Sequence, residues 1–304
     1  MARRAIQRLT PAALRQRPLP APGRDKEDRG RVCVVGGSRQ VPGAALLAGE
    51  AALRAGAGKL QIATVQSVAM SMALAVPEAM VLGLRENARG ELAASATDLE
   101  ASLDTCGAVV IGPGMQPSAF LARLTQRAAA LDGTVVMDAG ALHEGLKAAT
   151  GRPFILTPHA GEMAQLCDVD KGDILADPRA HAVAMAHATR SVVALKGPDT
   201  WIAAPDGEVW LHRGGVSGLG TSGSGDVLAG LIAGFAARGV SALDAALWGV
   251  WIHAEAGRVI GRTVGGLGFL AREIAPTVPG ILERFKWSAT PRQAPGPGRS
   301  SHLR

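Results

Sequence analysis

The stretch Gly220-Thr221-Ser222-Gly223-Ser224-Gly225-Asp226-Val227-Leu228-Ala229-Gly230 sets one carboxylate directly after a run of small residues. Val227, Leu228, Leu231, Ile232 and Phe235 recur at helical spacing on one face, which predicts a helix starting at this run. Backbone N–H groups at a helix start lack an intrahelical acceptor, and the helix dipole adds positive potential there. Gly223, Ser224 and Gly225 are therefore candidates for an anion hole that admits a phosphate without Cβ collision. An acid beside a phosphate is poorly placed to bind it. Asp226 makes better chemical sense as a general base that takes a proton from an incoming hydroxyl. Helix capping is the competing use of an Asp at such a position. Four glycines between 220 and 230 favour chemistry over a plain cap. No Gly-Lys-Ser/Thr of a phosphate-binding P-loop occurs, and Gly36-Gly37-Ser38 lacks the G-x-G-x-x-G spacing of a dinucleotide fingerprint.

A rigid sheet is needed to aim such loops. Apolar runs at 32–35, 60–63, 108–111, 134–137, 154–156 and 192–195 read as strands, nearly continuous in the way of parallel strands covered on both faces. Helical stretches at 43–55, 118–130 and 179–189 alternate with them. That alternation predicts an α/β fold with a doubly wound, mostly parallel sheet and helices on both faces. A hairpin is expected at 200–203 and 209–212, turning at Pro205-Asp206-Gly207, with a long helix over 245–260. Four loops fall at the C-terminal ends of strand candidates, where open α/β sheets bind ligands. They are Gly112-Pro113-Gly114, Asp138-Ala139-Gly140, Thr157-Pro158-His159-Ala160-Gly161-Glu162 and Lys196-Gly197-Pro198-Asp199-Thr200. The expected organisation is an N-terminal arm (1–30), a single catalytic domain (31–286) and a disordered basic tail rich in Pro, Gly, Ser and Arg (287–304).

Taken in order, the segments GGS (36–38), PGAALLAG (42–49), RAGAGK (54–59), GPG (112–114), LTPHAGE (156–162), LKGPDT (195–200), AAPDG (203–207) and TSGSGDVLAG (221–230) resemble the ADP-dependent NAD(P)H-hydrate dehydratase family. This family lies in the ribokinase-like superfamily, and the similarity runs from about residue 9 to residue 282. SGSGD marks only the superfamily, whereas LTPHAGE together with LKGPDT is more specific. The resemblance implies a ribokinase-like fold and ADP- or ATP-dependent dehydration of the S-form of hydrated NADH or NADPH. It also implies Mg²⁺ with the nucleotide and a homo-oligomer, a tetramer in relatives. Carried over residue by residue, Ala44, Ala45, Gly114, His159 and Asp226 would meet the hydrated dinucleotide. Lys196, Gly197, Pro198, Asp199, Thr200 and Gly225 would hold the AMP part of the nucleotide. Two departures stand out. Asp138-Ala139-Gly140 replaces an Asp-Ala-Asp common in relatives, and Val216-Ser217-Gly218 stands where many have an Asn. The epimerase domain fused to some relatives is not expected in an arm this short. A ribokinase-like kinase for hydroxyethylthiazole or hydroxymethylpyrimidine is the chief alternative, and a non-catalytic nucleotide sensor is the second.

Composition trims the remaining classes. The net charge is +6, but residues 1–30 carry +5 and residues 285–304 carry +4, leaving the body near −3. The body offers no cationic footprint for nucleic acid. No apolar run reaches the ~18 residues of a membrane span. Cys33, Cys106 and Cys167 fit no disulfide or zinc spacing and read as reduced thiols of a cytoplasmic protein. The Arg-rich first 24 residues resemble a transit peptide in composition, yet the prolines at 18, 20 and 22 spoil an amphipathic helix, favouring a short arm. His143, His181, His187, His212 and His253 are expected at the surface or satisfied in the core. Trp248 and Trp251 are expected in the core or a subunit contact. Asp170, Asp173 and Asp177 read as a solvated stretch without calcium-loop spacing.

Overall fold

A computed structural model describes residues 5–93, 97–147 and 154–285, so the expected basic tail lies outside the described residues. Its strands are β1 (Gln7–Arg8), β2 (Arg31–Val35), β3 (Lys59–Val65), β4 (Ala79–Leu84), β5 (Ala108–Ile111), β6 (Thr134–Met137), β7 (Ile155–Leu156), β8 (Val192–Leu195), β9 (Asp199–Ala203) and β10 (Val209–Arg213). They form one sheet in the order β1-β10-β9-β8-β7-β6-β5-β2-β3-β4. Among the described strands, β9 alone runs against its neighbours, pairing antiparallel with β8 and β10. The helices are α1 (Pro11–Arg15), α2 (Gly43–Arg54), α3 (Gln66–Ala75), α4 (Thr97–Leu103), α5 (Ala119–Ala128), α6 (Ala160–Cys167), α7 (Lys171–Ala176), α8 (Pro178–Thr189), α9 (Ser224–Ala237), α10 (Ala242–Thr263) and α11 (Ile274–Leu282).

Side chains alternate across a strand, and the sheet uses both faces. Val32 and Val34 of β2 point into a core shared with α2, α9, α10 and α11. Cys33 and Val35 point into the opposite core, with α5, α6 and α8. This explains the unbroken apolar runs in the sequence. The strand order reverses between β2 and β5, where one connection leads toward β3 and the other toward β6. The loops after these two strands meet there, with Gly37 N–H donating to Pro113 O at 2.7 Å.

Three differences from expectation have physical causes. The helix over 224–237 is buried nearly all round, not on one face, because α2 and α10 pack on it from two sides. Strand β4, Ala-Met-Val-Leu-Gly-Leu, is absent from the sequence reading. Its mix of weak strand formers lies half-exposed at the sheet edge, with β3 as its only strand partner. Residues 5–30, expected as an arm, are stitched into the body: β1 pairs with β10, and Leu14 and Leu19 are fully buried. Arg17 bridges Asp244 at 2.7 Å and Glu208 at 2.6 Å, and its carbonyl accepts from Trp248 Nε1 at 2.8 Å.

The residues set aside as structural are placed accordingly. Trp248 and Trp251 pack edge-on to Phe285 in the core. Asp177 caps α8 by accepting from Ala180 N, and Asp170 and Asp173 sit exposed at the start of α7. All three cysteines are free. The thiols of Cys33 and Cys106, distant in sequence, meet in the structure, and hydrogen bonding between them together with burial pushes Cys33 well up. Among the described residues no helix is long and apolar enough to cross a membrane.

Candidate active site

Helix α9 opens on Gly223, whose φ of +89° lies in the left-handed region that side-chain-bearing residues rarely adopt. A Cβ there would meet Leu47 of α2, so the turn is pinned against that helix. One member of the expected anion hole is otherwise engaged: Ser224 N–H turns back to Thr221 O at 3.3 Å. Gly223 and Gly225 N–H have no backbone acceptor among the described residues. Asp226 follows in the first turn, half-buried.

Three further elements converge on Asp226. Asp138, at the end of β6, is almost fully buried. It accepts from Thr157 Oγ1 at 2.7 Å and from Lys196 Nζ at 3.0 Å. Lys196, at the end of β8, also lies 3.8 Å from Glu162 Oε2. Its Nζ is so close to Gly225 that a Cβ there would sit 3.2 Å from it. Burial works against the ammonium, but Asp138 and Glu162 outweigh it and hold its pKa above the ordinary value. The same surroundings act on Asp226 in the other direction. Burial and then the charge of Asp138 raise its pKa to about 7, with Glu162 adding and Lys196 opposing.

Beside this cluster lies a cavity of about 520 Å³, within the usual range of small-molecule sites. Its walls include His159, Lys196, Gly197, Pro198, Thr200, Ser224 and Gly225 from the sequence reading, with Val216, Leu228 and Val250 supplying apolar surface. Asp199 is not in the wall. It points outward, 3.5 Å from Arg213. Ala44, Ala45 and Gly114 gather elsewhere, at the β2–β5 reversal. Ala45 lies under Gly36 and Gly37, and a Cβ on Gly114 would touch Ala44. Asp226 directly follows Gly225, which faces the cavity, while Gly223 abuts α2. His159 and Lys196, expected to face different ligands, share one cavity mouth, their backbones paired in a parallel bridge. His159 caps α6, with Nδ1 accepting from Glu162 N at 3.0 Å while Glu162 Oε2 accepts from His159 N at 2.7 Å.

Glu162 and Thr157 are not among the site residues expected from the sequence, and His212 and His253 are expected to be structural. Both histidines are satisfied or buried as expected, yet both line the cavity. Burial drives each pKa down to about 4. Glu162 was already inside LTPHAGE, and its capping-box spacing from His159 was the available signal.

Comparison with known proteins identifies the family. Residues 32–279 match the family model described as NAD(P)H-hydrate dehydratase. An ADP-dependent (S)-NAD(P)H-hydrate dehydratase of Xanthomonas campestris pv. campestris is 61% identical over 92% of this chain and 97% of its own length. A bifunctional NAD(P)H-hydrate repair enzyme of Moorella thermoacetica is 35% identical over 89% of this chain, which spans 52% of it. The Bacillus subtilis ADP/ATP-dependent NAD(P)H-hydrate dehydratase, co-crystallised with ATP/Mg²⁺ and soaked with CoA, superposes with a TM-score of 0.81. It is 30% identical and covers 93% of this chain and 100% of that one. With the model spanning most of the chain and the Xanthomonas relative matching almost end to end, the chain belongs to the NAD(P)H-hydrate dehydratase family.

Proposed function

We propose that this enzyme dehydrates the S-form of hydrated NADH and NADPH, using ADP or ATP to restore the reduced dinucleotide. The observation that carries the reading is Asp226, a half-buried carboxylate with pKa raised to about 7 that directly follows the cavity-lining Gly225 and has Asp138, Lys196 and Glu162 around it. In this reading the cavity holds the nucleotide, with Lys196, Gly197, Pro198, Thr200 and Gly225 around its AMP portion. The hydrated nicotinamide approaches along Ala44, Ala45, Gly114 and His159. Hydroxide is a poor leaving group and phosphate a good one. Asp226 takes the proton of the C6 hydroxyl as that oxygen accepts the terminal phosphoryl group and the bond from that phosphorus to the nucleotide breaks. The C6–O bond then breaks with its electron pair leaving on phosphate, and loss of a C5 proton to water forms the C5–C6 double bond. A base with pKa near neutrality is matched to this task. The free N–H groups of Gly223 and Gly225, with Lys196 beside them, oppose charge building on the phosphoryl oxygens.

Among the described residues no group of three His, Cys, Asp or Glu side chains could hold a metal ion, and Lys196 reaches toward both Asp138 and Glu162. The donor set therefore does not fit a resident ion. Mg²⁺ enters this reading only as a companion of the nucleotide phosphates, its usual habit. The reading includes a cytoplasmic homo-oligomer, supported by three free cysteines and by exposed Met70 and Leu74 on α3 beside edge strand β4.

The test is incubation with hydrated NADH plus ADP or ATP while following absorbance of the reduced nicotinamide. Nucleotide-dependent recovery is expected. No recovery, with phosphorylation of a hydroxyethylthiazole or hydroxymethylpyrimidine alcohol instead, would replace the dehydratase by a small-molecule kinase.

A further inference from the structure

Ser224 is the first residue of α9 and lines the cavity next to Gly225. His253, midway along α10, meets it twice: Nε2 lies 3.0 Å from Ser224 Oγ and 3.0 Å from Ser224 O. Burial keeps the imidazole neutral, with pKa lowered to about 4. A neutral imidazole carries one N–H, and a backbone carbonyl can only accept. Nε2 must therefore hold the proton to bond that carbonyl, and it faces Oγ with the same proton. A protonated ring nitrogen has no lone pair to receive from a hydroxyl. The Ser224 O–H hydrogen is thus turned away from His253, and among the described residues Oγ has no other hydrogen-bond partner. The open side is the cavity.

We infer that His253 is a positioning residue that fixes the Ser224 hydroxyl as a donor to the nucleotide phosphate. The hydroxyl takes the place of the Ser224 backbone N–H, which is spent on Thr221 O. The inference takes the nucleotide from the dehydratase reading but makes a separate claim about one hydroxyl.

The experiment is calorimetric titration of ADP into the full chain, paired with KM values for ADP and for hydrated NADH. Loss of a hydrogen bond to a charged phosphate is expected to weaken ADP by roughly ten- to a hundredfold in Ser224→Ala. His253→Ala should give a similar or smaller loss. His253→Gln, which keeps an N–H at the Nε2 position, should recover most of the affinity. Combining His253→Ala with Ser224→Ala should cost no more than Ser224→Ala alone, and KM for the hydrate should hold in each variant. Wild-type ADP affinity in Ser224→Ala overturns the inference, as do fully additive losses or failure of the Gln variant to recover. Should wild type bind ADP but convert no hydrate, the dehydratase reading falls. The Ser224–His253 comparison is still decided, because titration needs no turnover.

Discussion

Asp226 lies in the first turn of α9 with its carboxyl half-buried. Its place after a glycine-rich run marks it without any structure. Its proton affinity depends on Asp138, Lys196 and Glu162, which come from the ends of β6 and β8 and from α6. No spacing in one dimension announces that those three meet. If Asp226 is the base proposed above, replacing it by Asn keeps the shape and removes that base, so turnover should drop by about 10²–10⁴ with ADP still bound, measured by steady-state rates and titration. A carboxylate acting as the proposed base must be ionised, so in wild type kcat/KM should rise with pH through about 7. Lys196 lowers the pKa of Asp226, so Lys196→Met should move that limb to higher pH. Asp138→Asn removes a raising charge and should move it lower. The same shift bears on stability. A carboxyl with folded pKa near 7 and unfolded pKa near 3.8 contributes stability below about pH 4 that is lost as pH rises through 7. Asp226→Asn should therefore melt higher than wild type at pH 8, with the gap closing toward pH 4.

At the scale of elements, the site hangs on the contact between α2 and α9. Gly230 and Gly234 lie against the backbone of Ala48 and Ala52, so the two helices touch almost chain to chain. In an open helix Gly→Ala stabilises by roughly 0.5–1 kcal/mol. Here the added methyl would enter the Ala48 carbonyl, which cannot move aside as a side chain tip could. Gly230→Ala should instead destabilise by about 1–3 kcal/mol in urea unfolding and reduce turnover, since α9 carries Asp226 and Gly225. An Ala-for-Gly exchange that proved stabilising would show that the helices have room to part. The alternation of apolar runs made β2, β3, β5, β6 and β8 readable because each is buried on both faces. Strand β4 lacked that signal, being an edge, and β1 lacked it because two polar residues form no pattern.

The whole molecule is closed by its first residues. The prolines at 18, 20 and 22 favour a short arm leading into the first strand, and within it Arg17 meets Asp244 and Glu208 and stacks on Trp210. Charge counted along a chain cannot show where the partners lie. Leu14 is fully buried, so Leu14→Ala should cost about 2–5 kcal/mol in thermal or urea unfolding, whereas an exposed arm would lose nothing measurable.

The pairing of β1 with β10 also bears on how the protein is made. Gln7 leaves the ribosome roughly two hundred residues before its partner Trp210. Strands β2 to β8 can assemble as they emerge, but the wall carrying His212, Ser224 and His253 comes last. The cavity is therefore incomplete until α10 is synthesised, and the segment carrying β1 must wait with Leu9, Leu14 and Leu19 uncovered. That interval is when a chaperone has most to hold.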